Sequence, residues 1–234
     1  NSIKSYCIEE AYEVVEAIEN NDNAALCEEL GDLLFQVIFH SAINSEKGNF
    51  SIIDVIDNLS EKLIRRHPHV FENNSNTISK KQIEKNWANI KKQERIAKGN
   101  IGILDDIPKN FPAMIRSLKL QKRASENGFD WKKSNDVLKK IEEEKHELEI
   151  ALIRQKKEEI EEEIGDLIFS VINLSRKLKI DPENALRKTN KKFLVRINYI
   201  EKELQKKNKK FNESDLIELE RLWNQAKIGI KQVK

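Results

Sequence analysis

Apolar residues recur along the chain at helical spacing, and no stretch alternates with the period of two that a half-buried strand requires. Leu30, Leu33, Leu34, Val37 and Ile38 follow the i, i+3, i+4, i+7, i+8 pattern, and Ile164, Leu167, Ile168, Val171 and Ile172 repeat it. Helix starts are marked. Ser51 stands three residues before Asp54 and Ser79 three before Gln82, both in the manner of a capping box. Asp181-Pro182-Glu183 reads as an N-cap followed by proline at the first helical position. Gly48, Gly99 and Gly128 are plausible stops. The least helical stretch, GNIGILDDIPKNFP at 99–112, reads as a linker between two helical units. The pattern predicts an all-α protein with units at 1–98 and 113–234.

An internal repeat supports that division. Adding 134 carries Glu9, Glu10 and Glu13 onto Glu143, Glu144 and Glu147. The same shift carries EELGDLLF (28–35) onto EEIGDLIF (162–169). Lys62 and Arg66 match Lys192 and Arg196 at a shift of 130, and Trp87 and Lys91 match Trp223 and Lys227 at 136. Two acidic blocks sharing one offset are more than helical bias produces. The expected architecture is two tandem copies of one four-helix unit.

Composition narrows the setting. Charged residues make up 35% of the chain and aromatics only 6%, as in a helical protein rich in solvated faces. The net charge of +2 gives no overall pull toward nucleic acid or a membrane surface. No apolar run approaches the roughly 18 residues of a spanning helix. Cys7 and Cys27 form no CxxC, which fits reduced thiols in a cytoplasmic setting. The chain opens directly into helix-like sequence, so upstream residues are expected to be missing from the first unit.

Each copy reads EExxE and then, after 15 residues (14–28 or 148–162), ExxD. Glu144 and Glu147 share a helix face, as do Glu163 and Asp166, and both pairs border the apolar stripe. Two such helices, joined by a short turn near Asn20–Asn23 or Arg154–Lys157 and packed along those stripes, gather four or five carboxylates. The cluster repels itself unless a cation sits in it. Oxygen donors without His or Cys select a hard ion, Mg2+ or Mn2+. Lys192 and Arg196, i and i+4 on one helix, suit phosphate oxygens or serve as surface charges. Trp223 and Trp87 fit either a base-stacking or a plain core role. The ExxH at Glu143–His146 lacks a counterpart, because Tyr12 fills the matching place, so a di-iron site is not expected. His67-Pro68-His69 reads as a turn, and KKNKK at 206–210 as a solvated one. The glycine between the acids, Gly31 or Gly165, is expected to let the neighbouring helix or a phosphate come close.

EExxE followed by ExxD, in the form EELGDLLFQVIFH, resembles the MazG nucleotide pyrophosphohydrolases, all-α enzymes. KLIRRHPHVF (62–71), LDDIPKNFPAMIRSLKLQKRASENGFDW (104–131) and WNQAK (223–227) extend the resemblance over essentially the whole chain, in the manner of tandem, two-domain members. The resemblance implies Mg2+-dependent hydrolysis of nucleoside triphosphates to monophosphate and pyrophosphate, and a homodimer whose helices complete one bundle. It places the metal ligands at Glu144, Glu147, Glu163 and Asp166, and in the first copy at Glu10, Glu13, Glu29 and Asp32. Nucleotide contacts fall on Lys192, Arg196, Trp223, Glu159 and Glu162, and on Lys62, Arg66 and Trp87. The Cys-Pro-Trp-Asp stretch that usually precedes the first EExxE is absent, so the second copy is expected to be the main active site. Glu143 neighbours the ligands without matching one, which makes it the candidate to orient or deprotonate the attacking water. Narrow dUTP or dCTP pyrophosphatases share the acidic motif, and a helical scaffold remains the reading from another class.

Overall fold

A computed structural model describes residues 3–71, 79–97, 99 and 102–232. The chain divides into two compact units, Asn1–Lys98 and Gly99–Lys234. Among the described residues every regular element is helical. None of the helices described is long and apolar enough to cross a membrane.

In the first unit α1 (Tyr6–Asn20) and α2 (Asn23–Glu46) form a hairpin, followed by α3 (Ile52–Arg66), the single turn α4 (Pro68–Phe71) and α5 (Lys80–Ala97). The hairpin turn works through Asn21, which takes the left-handed conformation at φ 54°. Asp22 then caps α2, its carboxylate accepting from the Ala24 and Ala25 amides at 3.1 and 3.0 Å. The capping box at α3 is formed: the Ser51 amide donates to Asp54 at 2.7 Å, and the Asp54 amide donates to the Ser51 hydroxyl at 3.4 Å. Ser79 accepts from the Gln82 amide at 3.3 Å.

The second unit begins with a helix that the four-helix expectation did not contain, α6 (Ala113–Glu126), which packs on the helices that follow. Then come α7 (Ser134–Arg154), α8 (Lys157–Lys177), α9 (Pro182–Gln205), a 3-10 turn at Phe211–Glu213 and α10 (Leu216–Gln232). Asp181 caps α9 through the Asn184 amide at 3.1 Å, with Pro182 at the first position. The α9–α10 pair buries Ile200, Leu204 and Leu222 against Ile197, Leu219 and Trp223.

Of the stretch read as a linker, Asn100 and Ile101 lie outside the described residues, and the remainder is tied to the second unit. Ile107 is buried, and Arg123 of α6 grips Asp106 at 2.8 and 3.1 Å. Asp130, in the loop after α6, is held by Arg176 and by Lys177 (2.9 Å) at the end of α8. Lys177 also donates to the Trp131 carbonyl. These pairs account for the conspicuous LDDIP and GFDW segments.

One expectation about packing is corrected. In neither hairpin is the whole predicted stripe buried. The α1–α2 seam instead buries Ala17 and Gln36, while Leu30, Leu34, Val37 and Ile38 stay 41–56% exposed. The acids lie on the flank that faces the seam, so the two stripes that periodicity merges into one face are distinct. In α8 the predicted stripe is divided: Ile164, Ile168 and Val171 are exposed, while Ile172 is buried.

Gln155, the counterpart of Asn21, also adopts left-handed backbone, at φ 55°. For a residue with a Cβ this conformation carries a steric cost of order 1 kcal/mol. Gln155→Gly is therefore expected to raise unfolding free energy by about 0.5–1 kcal/mol in urea titration, whereas Asn21→Gly has little effect.

Candidate metal centre

Because α7 and α8 are joined by two residues, the acids near the middle of one helix face those of the other. One carboxylate oxygen from each of Glu144, Glu163 and Asp166 lies within 4.8 Å of the others. In the first unit the same separation unites Glu10, Glu13 and Glu29. Glu144 is buried, Glu10, Glu29 and Glu163 are half-buried, and Glu13 and Asp166 are exposed. Glu147 joins its cluster through a hydrogen bond with the Glu144 carboxyl group. Asp32 is close enough to act on the charges of Glu10 and Glu29.

The electrostatics are those of crowded like charges. Partial desolvation at the seam, then the neighbouring carboxylates, push Glu10, Glu29 and Glu163 above the ordinary carboxylate range. Glu147 is raised first by its bond with Glu144 and then by desolvation. An acid raised in the folded state opposes folding once the pH exceeds its folded value, so these groups weaken the cation-free protein as pH rises toward neutrality. A divalent cation removes that penalty. The donor set, all carboxylate oxygen, fits Mg2+ or Mn2+.

One cation is already present in the second cluster, and sequence reasoning missed it. Lys140, one turn before Glu144, places its Nζ 2.8 Å from Glu144 and 2.7 Å from Glu143. Hydrogen bonds to Glu143 and Glu144 raise its ammonium well above the lysine range. In the first unit the matching residue is Tyr6, and a different device appears: Gln36 donates from Nε2 to Glu10 at 3.5 Å. The signal for both lay in mismatches at the 134 offset, Lys140 for Tyr6 and Ser170 for Gln36.

The other predicted residues are distributed as follows. Glu143 is exposed and bound to Lys140, outside the triad of oxygens. Arg196 lies 4.9 Å from the Trp223 ring, which also packs against Phe193 at 5.5 Å, so α9 and α10 bring these side chains together. The Arg196 Nε is buried without a hydrogen-bond partner, and Lys192 is exposed one turn before it. Glu159 pairs with Lys156 at 2.8 Å and Arg154 at 3.5 Å, away from the cluster's own bonds, while Glu162 is exposed beside Glu163. In the first unit Arg66 is taken up by Glu94, which Arg65 also grips at 2.7 Å. Glu94 is thereby pulled down to about 2, chiefly by its Arg66 bond. Trp87 carries Lys91 3.7 Å from its ring, and Lys62 is half-buried on α3. The His69 side chain lies outside the described residues.

Gly31 and Gly165 face away from their hairpin partners. A methyl group at Gly31 or Gly165 meets no atom of the described residues within 4 Å, so none of the described helices approaches there. At 100° per residue, Gly165 is about 200° round α8 from Glu163. It faces outward, into the exposed apolar flank.

Residues 1–71 match the MazG nucleotide pyrophosphohydrolase domain, and residues 111–193 match phosphoribosyl-ATP pyrophosphohydrolase. The chain is 45% identical over 228 residues to the nucleoside triphosphate pyrophosphohydrolase/pyrophosphatase MazG of Thermotoga maritima, covering 97% of this chain and 86% of that protein. The chain belongs to the MazG family. Its likeness to the nucleoside triphosphate pyrophosphohydrolase of Escherichia coli (strain K12) is 40% over 230 residues, with 97% and 86% of the two chains covered. The uncharacterized protein YabN of Bacillus subtilis is 40% identical over 227 residues, again 97% of this chain but 46% of that protein. The match to the Thermotoga maritima protein extends over both units, and each unit carries a carboxylate cluster of its own.

Lys140→Met leaves the buried Glu144 carboxylate without its cation. Unfolding free energy in a chelator is expected to fall by about 1 kcal/mol, and millimolar Mg2+ to restore most of it. Urea titration with and without Mg2+ checks both parts.

Proposed function

We propose that the chain is a Mg2+-dependent nucleoside triphosphate pyrophosphohydrolase, cleaving the α–β anhydride to monophosphate and pyrophosphate. The observation that carries this reading is the duplicated cluster, Glu144, Glu163 and Asp166 answered by Glu10, Glu13 and Glu29. The names of the relatives, acting on nucleoside triphosphates, agree with it.

Glu144, Glu147, Glu163 and Asp166 would hold the metal in the second unit, and Glu10, Glu13, Glu29 and Asp32 in the first. Bound there, Mg2+ supplies neutralisation of the triphosphate charge and polarisation of its phosphoryl oxygens. Lys192 and Arg196 bind phosphate oxygens, the Arg196 Nε being a buried donor with no internal partner. Trp223, backed by Phe193 and the α9–α10 core, offers a face for the base. Glu143 orients the water that attacks the α-phosphorus and accepts its proton. The Lys140 ammonium, shared with Glu144, holds Glu143 beside the ligands. In the first unit Arg66 must leave Glu94 before it can reach a phosphate, which favours the second unit as the main site.

A homodimer completes the bundle. The exposed flank of α2, with Leu34 56% and Ile38 47% accessible, surrounds Gly31, and Ile164 and Ile168 do the same for Gly165. Apolar side chains around a residue without one suit close approach of a helix from a second copy. The setting proposed is the cytoplasm.

Incubation with mixed nucleoside triphosphates and Mg2+ should release pyrophosphate, and Glu163→Gln with Asp166→Asn should reduce the rate at least about 100-fold. Pyrophosphate release unaffected by that pair would sink the assignment. A panel including dUTP, dCTP and phosphoribosyl-ATP separates a broad enzyme from a narrow relative. Glu143→Gln is expected to slow turnover with Mg2+ affinity close to wild type. A loss of affinity of about tenfold or more would make it a ligand instead.

A further inference from the structure

The two clusters are alike, but what borders them is not. Beside the first cluster, Ile3, Tyr6, Phe35, Gln36 and Phe39 line a cavity of about 260 Å3. Phe35 and Phe39, one turn apart on α2, stack at 5.6 Å with their planes 12° from parallel. Tyr6 of α1 is half exposed at its mouth. In the second unit the corresponding residues are Val137, Lys140, Phe169, Ser170 and Asn173, which keep a single aromatic. At 100° per residue, Phe35 and Phe39 lie about 40° and 80° round α2 from Gly31, so the cavity borders the flank proposed to seat a second copy.

The amide side chain in the cavity lining is buried. Gln36 is 8% exposed, and its Nε2 turns toward Glu10, a member of the acidic cluster. Among the described residues its Oε1 receives a thiol contact from Cys7 at 4.0 Å, a weak donor at long range. The cavity therefore has flat apolar walls, an acceptor in its lining and a cation-seeking cluster at its edge. A nucleoside triphosphate matches this in all three respects: a planar base, a base edge that donates, and phosphates that bring a divalent cation.

We propose that the first unit binds the base of a nucleoside triphosphate among Tyr6, Phe35 and Phe39, and that Gln36 Oε1 selects bases bearing an exocyclic amino group, such as adenine, over their keto counterparts. This rests on reading Glu10, Glu13 and Glu29 as a cation site. The first unit is then a base-discriminating site, built differently from the second.

The test uses the full chain carrying Glu163→Gln and Asp166→Asn, titrated calorimetrically with the α,β-methylene analogues of ATP and ITP in Mg2+. One binding event should remain, with the ATP analogue at least about fivefold tighter. Gln36→Leu should bring that ratio close to one. Tyr6→Ala, at a half-exposed position, should weaken both analogues about tenfold while thermal melting shows the chain still folded. Loss of all binding in the double variant, while the unsubstituted chain still binds, overturns the pocket and leaves the second unit's assignment standing. A ratio unmoved by Gln36→Leu overturns the selection. If Tyr6→Ala alters the oligomeric state and not nucleotide affinity, the cavity seats a second copy, and the proposal also falls. Failure of the unsubstituted chain to bind either analogue would remove the cation reading itself.

Discussion

Mutual repulsion of carboxylates across a two-residue helix turn is the constraint around which each unit is arranged. Helices joined at Asn21–Asp22 or Gln155–Lys156 have no freedom to slide, so acids near the middle of one are held against acids of the next. The crowding raises Glu10, Glu29 and Glu163 and makes the seam a place where positive charge is stabilising. The units answer the problem differently. The second brings in the Lys140 ammonium, and the first a neutral amide from Gln36. A lysine within the ligand shell must give way or share when a metal arrives, whereas an amide need not. The gathered oxygens differ as well, the first cluster drawing in Glu13 and the second Asp166.

A second constraint is the shortage of internal apolar burial. Among the described residues the buried hydrophobics are few, and the α9–α10 cluster around Ile200, Leu204 and Leu222 is their clearest concentration. The periodic stripe of α2 points away from its hairpin partner, with Gly31 in its midst. Hydrophobic burial is the chief favourable term in folding, and a helix pair that leaves its stripe bare gains little of it. An apolar face exposed on this scale is the signature of an interaction surface.

Much of this was legible in the sequence, and the limits have physical causes. The acidic residues gathered in the clusters, the hairpin turns and the caps at Ser51, Ser79 and Asp181 were all readable, because each rests on local spacing. The stripe was assigned to the wrong partner because a period of 3.6 says which residues share a face but not what covers it. Gly31 and Gly165 carry the same lesson: position between two acids in sequence is not position between them in space. Helix α6 was passed over because its apolar content is broken by Arg116, Lys119, Lys122 and Arg123. Lys140 looked like one lysine among many, and only the ion pair with a buried Glu144 separates it from the rest.

The two-residue turns also bear on how the protein comes to be folded. Each carboxylate cluster is drawn from one helical hairpin, residues 144–166 in the second unit, with no contribution from distant chain. Contacts of such short sequence separation form early and fast, since little loop entropy is lost in closing them. The acids are thus brought together while much of the rest of the chain is still unordered. If the clusters hold the proposed Mg2+, the ion would meet a nascent hairpin rather than a finished fold, and would then serve as a template for assembly as well.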